Sequence, residues 1–375
     1  MADTITYLTT TRFGAGAVEL LPQELAELGI RKPLLVTDPG IARLPLLDRV
    51  RRLLPAEHAL FAETPGNPTE AAVDTAFEAF RHAACDGLVA LGGGSAIDLA
   101  KAVALRATHA GALAEYALIE GGAGRIGPVA PLIAVPTTAG TGSEVGRAAL
   151  ITLRDGRKLA LISGHLIPAR AVCDPELSLG LPPLLTAATG MDALTHCIET
   201  FLSPRYNPPA DAIALDGAGR AMRFLPRAVA DGDDREARAE MMMAALQGGL
   251  TFQKGLGAVH GLSHALGAIP DPVLHHGTLN AVILPAVLRF NAPAAAAKYP
   301  RLARAMGLAE DADLAAAIED LNARLGLPKS LRQMGVTEAH RDRTVAGAVA
   351  DHSTASNARP VSQADYEALF DAALG

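Results

Sequence analysis

Residues 88–105 read LVALGGGSAIDLAKAVAL: a short apolar run, three consecutive glycines, and a helical pattern starting near Ser95. The run has the length and composition of a buried strand, and the stretch after it carries apolar residues at helical spacing. Glycines at such a turn let backbone N–H groups and the positive end of the helix dipole approach a pyrophosphate. A tight turn from strand to helix explains the same glycines without any ligand. No Gly-Lys-Ser/Thr follows, so this is not a Walker A loop, and the spacing is not G-x-G-x-x-G.

Outward from this stretch the first half keeps one rhythm. KPLLVTD (32–38) and PLIAVPTT (131–138) are further strand-like runs ending in polar or turn residues, and NPTEAAVDTAFEAFRHA (67–83) is amphipathic. Alternating strands and helices predict a mostly parallel sheet with helices on both faces. Asp38 ends one strand, where a carboxylate can bind a ribose 2′-OH, but it precedes the glycine turn instead of following it, which departs from an ordinary Rossmann order. PTTAGTGSE (136–144) adds hydroxyls and glycines at a third strand end, and open α/β sheets bind ligands along that edge. AALITLRDGRKLALIS (148–163) reads as a hairpin turning at Asp155 and Gly156.

From about Leu181 the apolar period becomes helical, as in DREARAEMMMAALQGGL (234–250), and the proline-bearing DPELSLGLPPLLT (174–186) marks the boundary. The expected organisation is an α/β domain over residues 1–180 and an all-helical domain over 181–375. APAAAAKYP (292–300) is expected to be a short Ala-rich helix.

Composition sets limits. The chain has 375 residues, half of them hydrophobic, so a large core is feasible. A net charge of −7 without a Lys/Arg block argues against nucleic acid as a partner. No signal peptide and no bilayer-length apolar run is seen, so a cytoplasmic protein without membrane contact is expected. Cys85, Cys173 and Cys197 are odd in number and widely spaced, which fits reduced core thiols.

The second half carries a different chemistry. GMDALTHCIETF (190–201) places Asp192 and His196 one helical turn apart on a shared face, where they can hold an ion or simply pair with each other. GAVHGLSHALGAIPDPVLHHG (257–277) repeats the spacing with His260 and His264, then reverses at Pro270 and Pro272 before His275 and His276. A carboxylate and three imidazoles suit Fe²⁺, Zn²⁺ or Mn²⁺, and ligand type does not choose among them.

GGGSAIDLAK, PTTAGTGSE, DPEL, TGMDALTHCIE, GLGAVHGLSHALG and HHGTLNAVILP, in this order, resemble the iron-containing (group III) alcohol dehydrogenase family. The resemblance also takes in FGAGAVELLPQELAELG near the start and SNARPVSQADYEALFDAAL at the end. It implies an N-terminal dinucleotide-binding α/β domain, a helical C-terminal domain, and a cleft between them for nicotinamide cofactor and metal. By position it implies Asp192, His196, His260 and His276 as metal ligands and His264 as a non-ligand histidine serving the reaction. It further implies Gly93, Gly94 and Ser95 at the pyrophosphate, Asp98 near the nicotinamide, and Thr137, Thr138, Thr141 and Ser143 along the cofactor, with Lys158 and Leu179 as added contacts. Three departures stand out. The loop before His276 is longer than usual, leaving His275 as a rival ligand, Gly146 and Arg147 replace a Thr-containing segment, and Gln253 and Lys254 replace small or amide residues.

The activity so implied is metal-dependent, NAD-linked hydride transfer between nicotinamide and a small alcohol or aldehyde, with NADP as the alternative cofactor. Asp38 favours NAD, because a 2′-phosphate there would meet like charge. Arg147 and Lys254 are candidates to receive an acidic substrate tail, as in a hydroxy acid or its semialdehyde. Rival readings are a lyase or cyclase of the dehydroquinate synthase type and a metallohydrolase. A homodimer or higher homo-oligomer is expected.

Overall fold

The computed structural model describes residue 7 and residues 9–375. The described chain forms two compact units, one of residues 7–138 and 143–178, the other of residues 139–142 and 179–375.

The first unit holds strands β1 (Thr10–Phe13), β2 (Pro33–Val36), β3 (Ala59–Phe61), β4 (Gly87–Gly92), β5 (Leu132–Pro136), β6 (Ala148–Thr152), β7 (Lys158–Ile162) and β8 (Arg170–Cys173). Its longer helices are α1 (Leu21–Glu27), α2 (Pro45–Arg51), α3 (Glu70–His82) and α4 (Gly94–Arg106). Six strands pair in parallel in the order β1-β8-β5-β4-β2-β3. Successive side chains leave a strand on opposite faces. Leu34, Val36, Leu88, Ala90 and Leu132 accordingly pack with Val73 and Phe80 of α3 and Ile97 and Leu105 of α4. Leu35, Val89, Leu91, Ile133 and Val135 pack on the other side with Leu21 and Leu25 of α1 and Leu47 and Val50 of α2. Burial on both faces is why these strands read as unbroken apolar runs. β6 and β7 form the antiparallel hairpin, with Gly156 at φ +82° in its turn.

The second unit contains α5 (Pro183–Leu202), α6 (Pro208–Ala230), α7 (Arg235–Leu250), α8 (Ala258–Gly267), α9 (His276–Asn291), α10 (Tyr299–Ala305), α11 (Leu314–Arg324), α12 (Arg341–Ala350) and α13 (Gln363–Leu374). Helix α5 is buried from Thr186 to its end and packs against α6, α7 and α9 around a single apolar core. Residues 139–142 belong here because their glycines allow contact without side chains. Gly142, at φ +61°, would bring a Cβ within 2.6 Å of the Gly249 Cα.

One expectation fails. Residues 292–298 form turns, and α10 begins only at Tyr299. A helix running through this segment would lose the Pro300 hydrogen bond and clash with the turn before it, whereas Pro300 fits the first turn of a new helix. Lys298 holds the turn by donating to the carbonyls of Phe201, Leu202 and Ser203 at the end of α5. Among the described residues no helix is long and apolar enough to cross a membrane, and all three cysteines are buried and free.

Candidate active site

Asp38, Gly93 and Thr137 follow β2, β4 and β5, so three neighbouring parallel strands deliver them to one edge. Thr137 is buried and its N–H donates to the Gly92 carbonyl. Gly92 turns the chain at φ +156°, and helix α4 starts at Gly94. A Cβ on Gly93 would lie 3.2 Å from Thr138 Oγ1, so the backbone and a hydroxyl line the same narrow space. Asp38 serves its own turn first: Oδ1 accepts the N–H groups of Gly40 and Ile41 at 2.8 and 3.0 Å. Its Oδ2 faces the glycine turn, 3.4 Å from a Cβ placed on Gly92.

The sequence reading missed a fourth loop at this edge. Ser95 Oγ donates to the Gly66 carbonyl at 2.6 Å, and Lys158 Nζ donates to Asn67 Oδ1 at 3.0 Å. The Gly-Asn-Pro-Thr stretch at 66–69 is the signal that marks it. Asp98 points into the protein. Its oxygens accept from Ser143 Oγ at 2.6 Å and Leu150 N at 3.0 Å, and the buried Lys101 ammonium binds Ser143 Oγ and the carbonyls of Gly146 and Ala148. Burial pushes the Lys101 ammonium down to about 8 and the neighbouring Glu144 carboxyl up to about 7. Asp98 and Ser143 therefore brace α4 against the hairpin. Thr141 and Leu179 fall in the helical unit.

The helical unit assembles the ligand-type residues. Asp192 and His196 project from the centre of α5, His260 and His264 from α8, and His276 opens α9. The Nε2 atoms of His196, His260 and His276 lie 3.4, 3.7 and 3.6 Å from Asp192 Oδ1. Donors bound at about 2.1 Å around one tetrahedral ion stand roughly 3.4 Å apart, and ligand atoms of Asp192, His196 and His260 all lie within 4.8 Å of one another, so these three could hold a metal, with His276 approaching the same carboxylate oxygen. His275 lies outside this set: the residue is exposed at the N-cap of α9, with Nδ1 3.4 Å from Thr278 Oγ1.

Two further residues belong to this cluster. Glu199 lies on the same face of α5 and holds His260, with Oε2 2.6 Å from Nδ1, while Oε1 accepts the Val259 N–H. A carboxylate behind a ligating imidazole fixes the tautomer that presents Nε2. Asn280, one turn beyond His276, donates to Asp192 Oδ1 at 2.7 Å and lies 3.3 and 3.2 Å from Nε2 of His260 and His276, while its Oδ1 is buried without a partner. One amide thus touches three of these four residues.

Burial pushes His196 down to about 4, assisted by the neighbouring His260. Burial also opposes a charged His260, but hydrogen bonds and charge from Asp192 and Glu199 outweigh it and raise that imidazole to about 9. Asp192 is held far below the usual carboxylate range by the histidines, against its burial. In the metal-free chain His260 is therefore protonated at neutral pH, and a ligand must shed that proton. Metal affinity should rise with pH up to about 9, with proton release measurable by calorimetry in buffers of different ionisation enthalpy. Glu199→Gln should lower metal affinity about 10–100-fold.

His264 stands apart from the residues around Asp192. Its Nδ1 is 3.0 Å from Asp351 Oδ2, and its ring stacks on His276 at 5.4 Å between centroids. Asp351, just past α12, is held well below its ordinary range by His264 and His352 despite burial. No sequence pattern announced this carboxylate. Lys254 is corrected: its ammonium is buried against Asp211 and the Phe201 carbonyl, which removes it from any substrate tail. Arg147 is exposed in the α/β unit.

Comparison with known proteins identifies the family. The family profile described as iron-containing alcohol dehydrogenase matches residues 9–175, and its C-terminal counterpart matches residues 186–374. A 4-hydroxybutyrate dehydrogenase of Cupriavidus necator is 56% identical over 379 aligned positions, covering 99% of each chain. The crystal structure of a 1,3-propanediol oxidoreductase superposes with TM-score 0.90 at 35% identity, covering 99% of this chain and 100% of that one. A sulfoacetaldehyde reductase from Bifidobacterium kashiwanohense, solved with NAD⁺, gives TM-score 0.88 at 29% identity over 100% and 99% of the chains. Both halves match by profile and a relative is similar over nearly full length, so the chain belongs to the iron-containing alcohol dehydrogenase family, oxidoreductases acting on alcohols.

Proposed function

We propose that the protein is a metal-dependent, NAD-linked dehydrogenase of a small alcohol bearing an acidic group, with 4-hydroxybutyrate and its semialdehyde as the substrate pair. The observation that carries the chemistry is the convergence of three imidazole nitrogens on Asp192 Oδ1. The substrate rests on the high identity to a 4-hydroxybutyrate dehydrogenase, and the sulfoacetaldehyde reductase likewise has an acidic substrate.

Asp192, His196, His260 and His276 would hold a divalent ion, Fe²⁺ by family, with Zn²⁺ or Mn²⁺ as alternatives. When bound, the ion supplies a Lewis acid for the alcohol oxygen, and nicotinamide supplies the hydride acceptor. Glu199 keeps the Nδ1 proton of His260. Asp351 keeps the Nδ1 proton of His264, so that Nε2 of His264 exchanges the alcohol proton. In the α/β unit, Gly93, Gly94 and Ser95 at the start of α4 would receive the pyrophosphate, with Thr137 and Thr138 beside it and Lys158 as an added contact. By the family resemblance Thr141 and Leu179 are further candidates for cofactor contact. Asp98 and Ser143 support the helix from within.

The test is a cofactor-linked assay of the metal-loaded enzyme with 4-hydroxybutyrate against 1-butanol. A kcat/KM preference of about 100-fold or more for the carboxylate is expected, the scale on which a site built for a polar group rejects its absence. Equal use of both would remove the acidic substrate. The Asp38 Oδ2 facing the glycine turn supports NAD over NADP, and Asp38→Gly should narrow the ratio of their kcat/KM values about tenfold, roughly 1.4 kcal/mol. An unchanged ratio would leave Asp38 as a turn residue only.

A further inference from the structure

A second cluster of ligating side chains lies one ring beyond the first. His276, His264 and His352 stack in series with near-parallel planes, their centroids stepping by 5.4 and 5.8 Å. Asp351 lies beside the outer two rings. Its Oδ2 is 3.0 Å from His264 Nδ1, its Oδ1 is 3.5 Å from His352 Nδ1, and one ligand atom from each of the three residues lies within 4.8 Å of the other two. The carboxylate is fixed from behind, because the Ser353 N–H donates to Oδ1 at 2.8 Å.

The geometry points to a second, inhibitory divalent-cation site formed by His264, Asp351 and His352, separate from the set around Asp192. The two nitrogen-to-carboxylate distances bracket the roughly 3.4 Å spacing of donors that share one ion. The two histidines bring ligand atoms within 4.8 Å of each other, and the His352 side chain is 22% exposed. That exposure also opens the site to solvent. Two imidazoles and one carboxylate suit Zn²⁺ and disfavour Mg²⁺, which prefers an all-oxygen octahedron. An ion here would take the His264 nitrogen that now faces Asp351, which leaves the proton of the neutral ring on Nε2, and that nitrogen can then no longer accept one from the alcohol. Binding stands on geometry alone, whereas inhibition rests on the proposal that His264 serves the reaction.

The experiment uses the Fe²⁺-loaded enzyme and adds zinc chloride. Equilibrium dialysis with metal analysis reads bound zinc and retained iron, and initial rates read activity, for wild type and His352→Phe, which keeps a ring against His264 without nitrogen donors. Wild type should bind one added zinc per chain with its iron retained and lose turnover as that zinc binds. The variant should match wild type without zinc and need about tenfold or more zinc for either effect, a scale that even indirect partners of a metal set reach. Magnesium should do neither. Equal zinc binding by both proteins, no added zinc, or zinc bound only as iron leaves would overturn the site. Zinc bound beside His352 without loss of rate would overturn the inhibition and count against the His264 assignment, while the dialysis result upheld the site. His352→Asn provides the same comparison if the phenylalanine variant is not recovered.

Discussion

His276→Ala is expected to strip the protein of its metal and lower kcat/KM by about a thousandfold or more, whereas His275→Ala should leave both near wild type. A Lewis acid at the reacting oxygen is worth several kcal/mol, and each 1.36 kcal/mol is about tenfold in rate. The two histidines are sequence neighbours with different surroundings. His276 is the first residue of α9 and brings Nε2 to 3.6 Å from Asp192 Oδ1, within reach of Asn280 as well. His275 is exposed at the cap, with Thr278 as its hydrogen-bonding neighbour. Metal analysis after dialysis, with turnover measured on the same samples, separates the two. Metal loss in His275→Ala with retention in His276→Ala would move the ligand to the preceding residue.

The clustering of Asp192, His196, His260 and His264 was legible in the sequence because α5 and α8 each carry a pair at helical spacing, whereas the choice of His276 over His275 and of His264 as a non-ligand came from the family resemblance. Asp192 and His196 sit on α5, His260 and His264 on α8, so local periodicity alone put them on common faces. The same argument extends to Glu199 on the Asp192 stripe and to Asn280 one turn after His276, both recoverable from spacing once the ligands are known. Asp351 is different. It meets His264 across 87 residues of chain, and nothing local to either residue encodes that meeting. The parallel sheet was equally legible, since strands buried on both faces leave unbroken apolar runs between amphipathic helices. Two readings failed where tertiary contacts overrode composition. The alanines of 292–298 are good helix formers, yet Pro300 and the anchoring of Lys298 on the end of α5 hold them in turns. Lys254 looked free to meet a substrate, but its nearest anion is Asp211, and a buried ammonium requires such a partner.

His264→Ala is expected to retain metal and lower kcat by about 10²–10⁴-fold, the range contributed by a positioned acid or base. The residue is placed for this and not for the ion of the Asp192 set. Its Nδ1 is engaged by Asp351, so the opposite nitrogen alone can exchange a proton, and its ring lies parallel to that of His276 at an interplanar angle of 12°. Exogenous imidazole should restore part of the turnover, because the missing group is one imidazole in a site that otherwise keeps its ligands. Asp351→Asn should cost less, about 10–100-fold in kcat, the scale on which partners that orient a histidine ring act. Its KM should stay near wild type, and added imidazole should not help, since His264 still fills its place. A merely structural role for Asp351 predicts something else: a lower Tm, with kcat and KM disturbed together. Loss of metal in His264→Ala, or full turnover without it, would place the proton-handling group elsewhere in the protein.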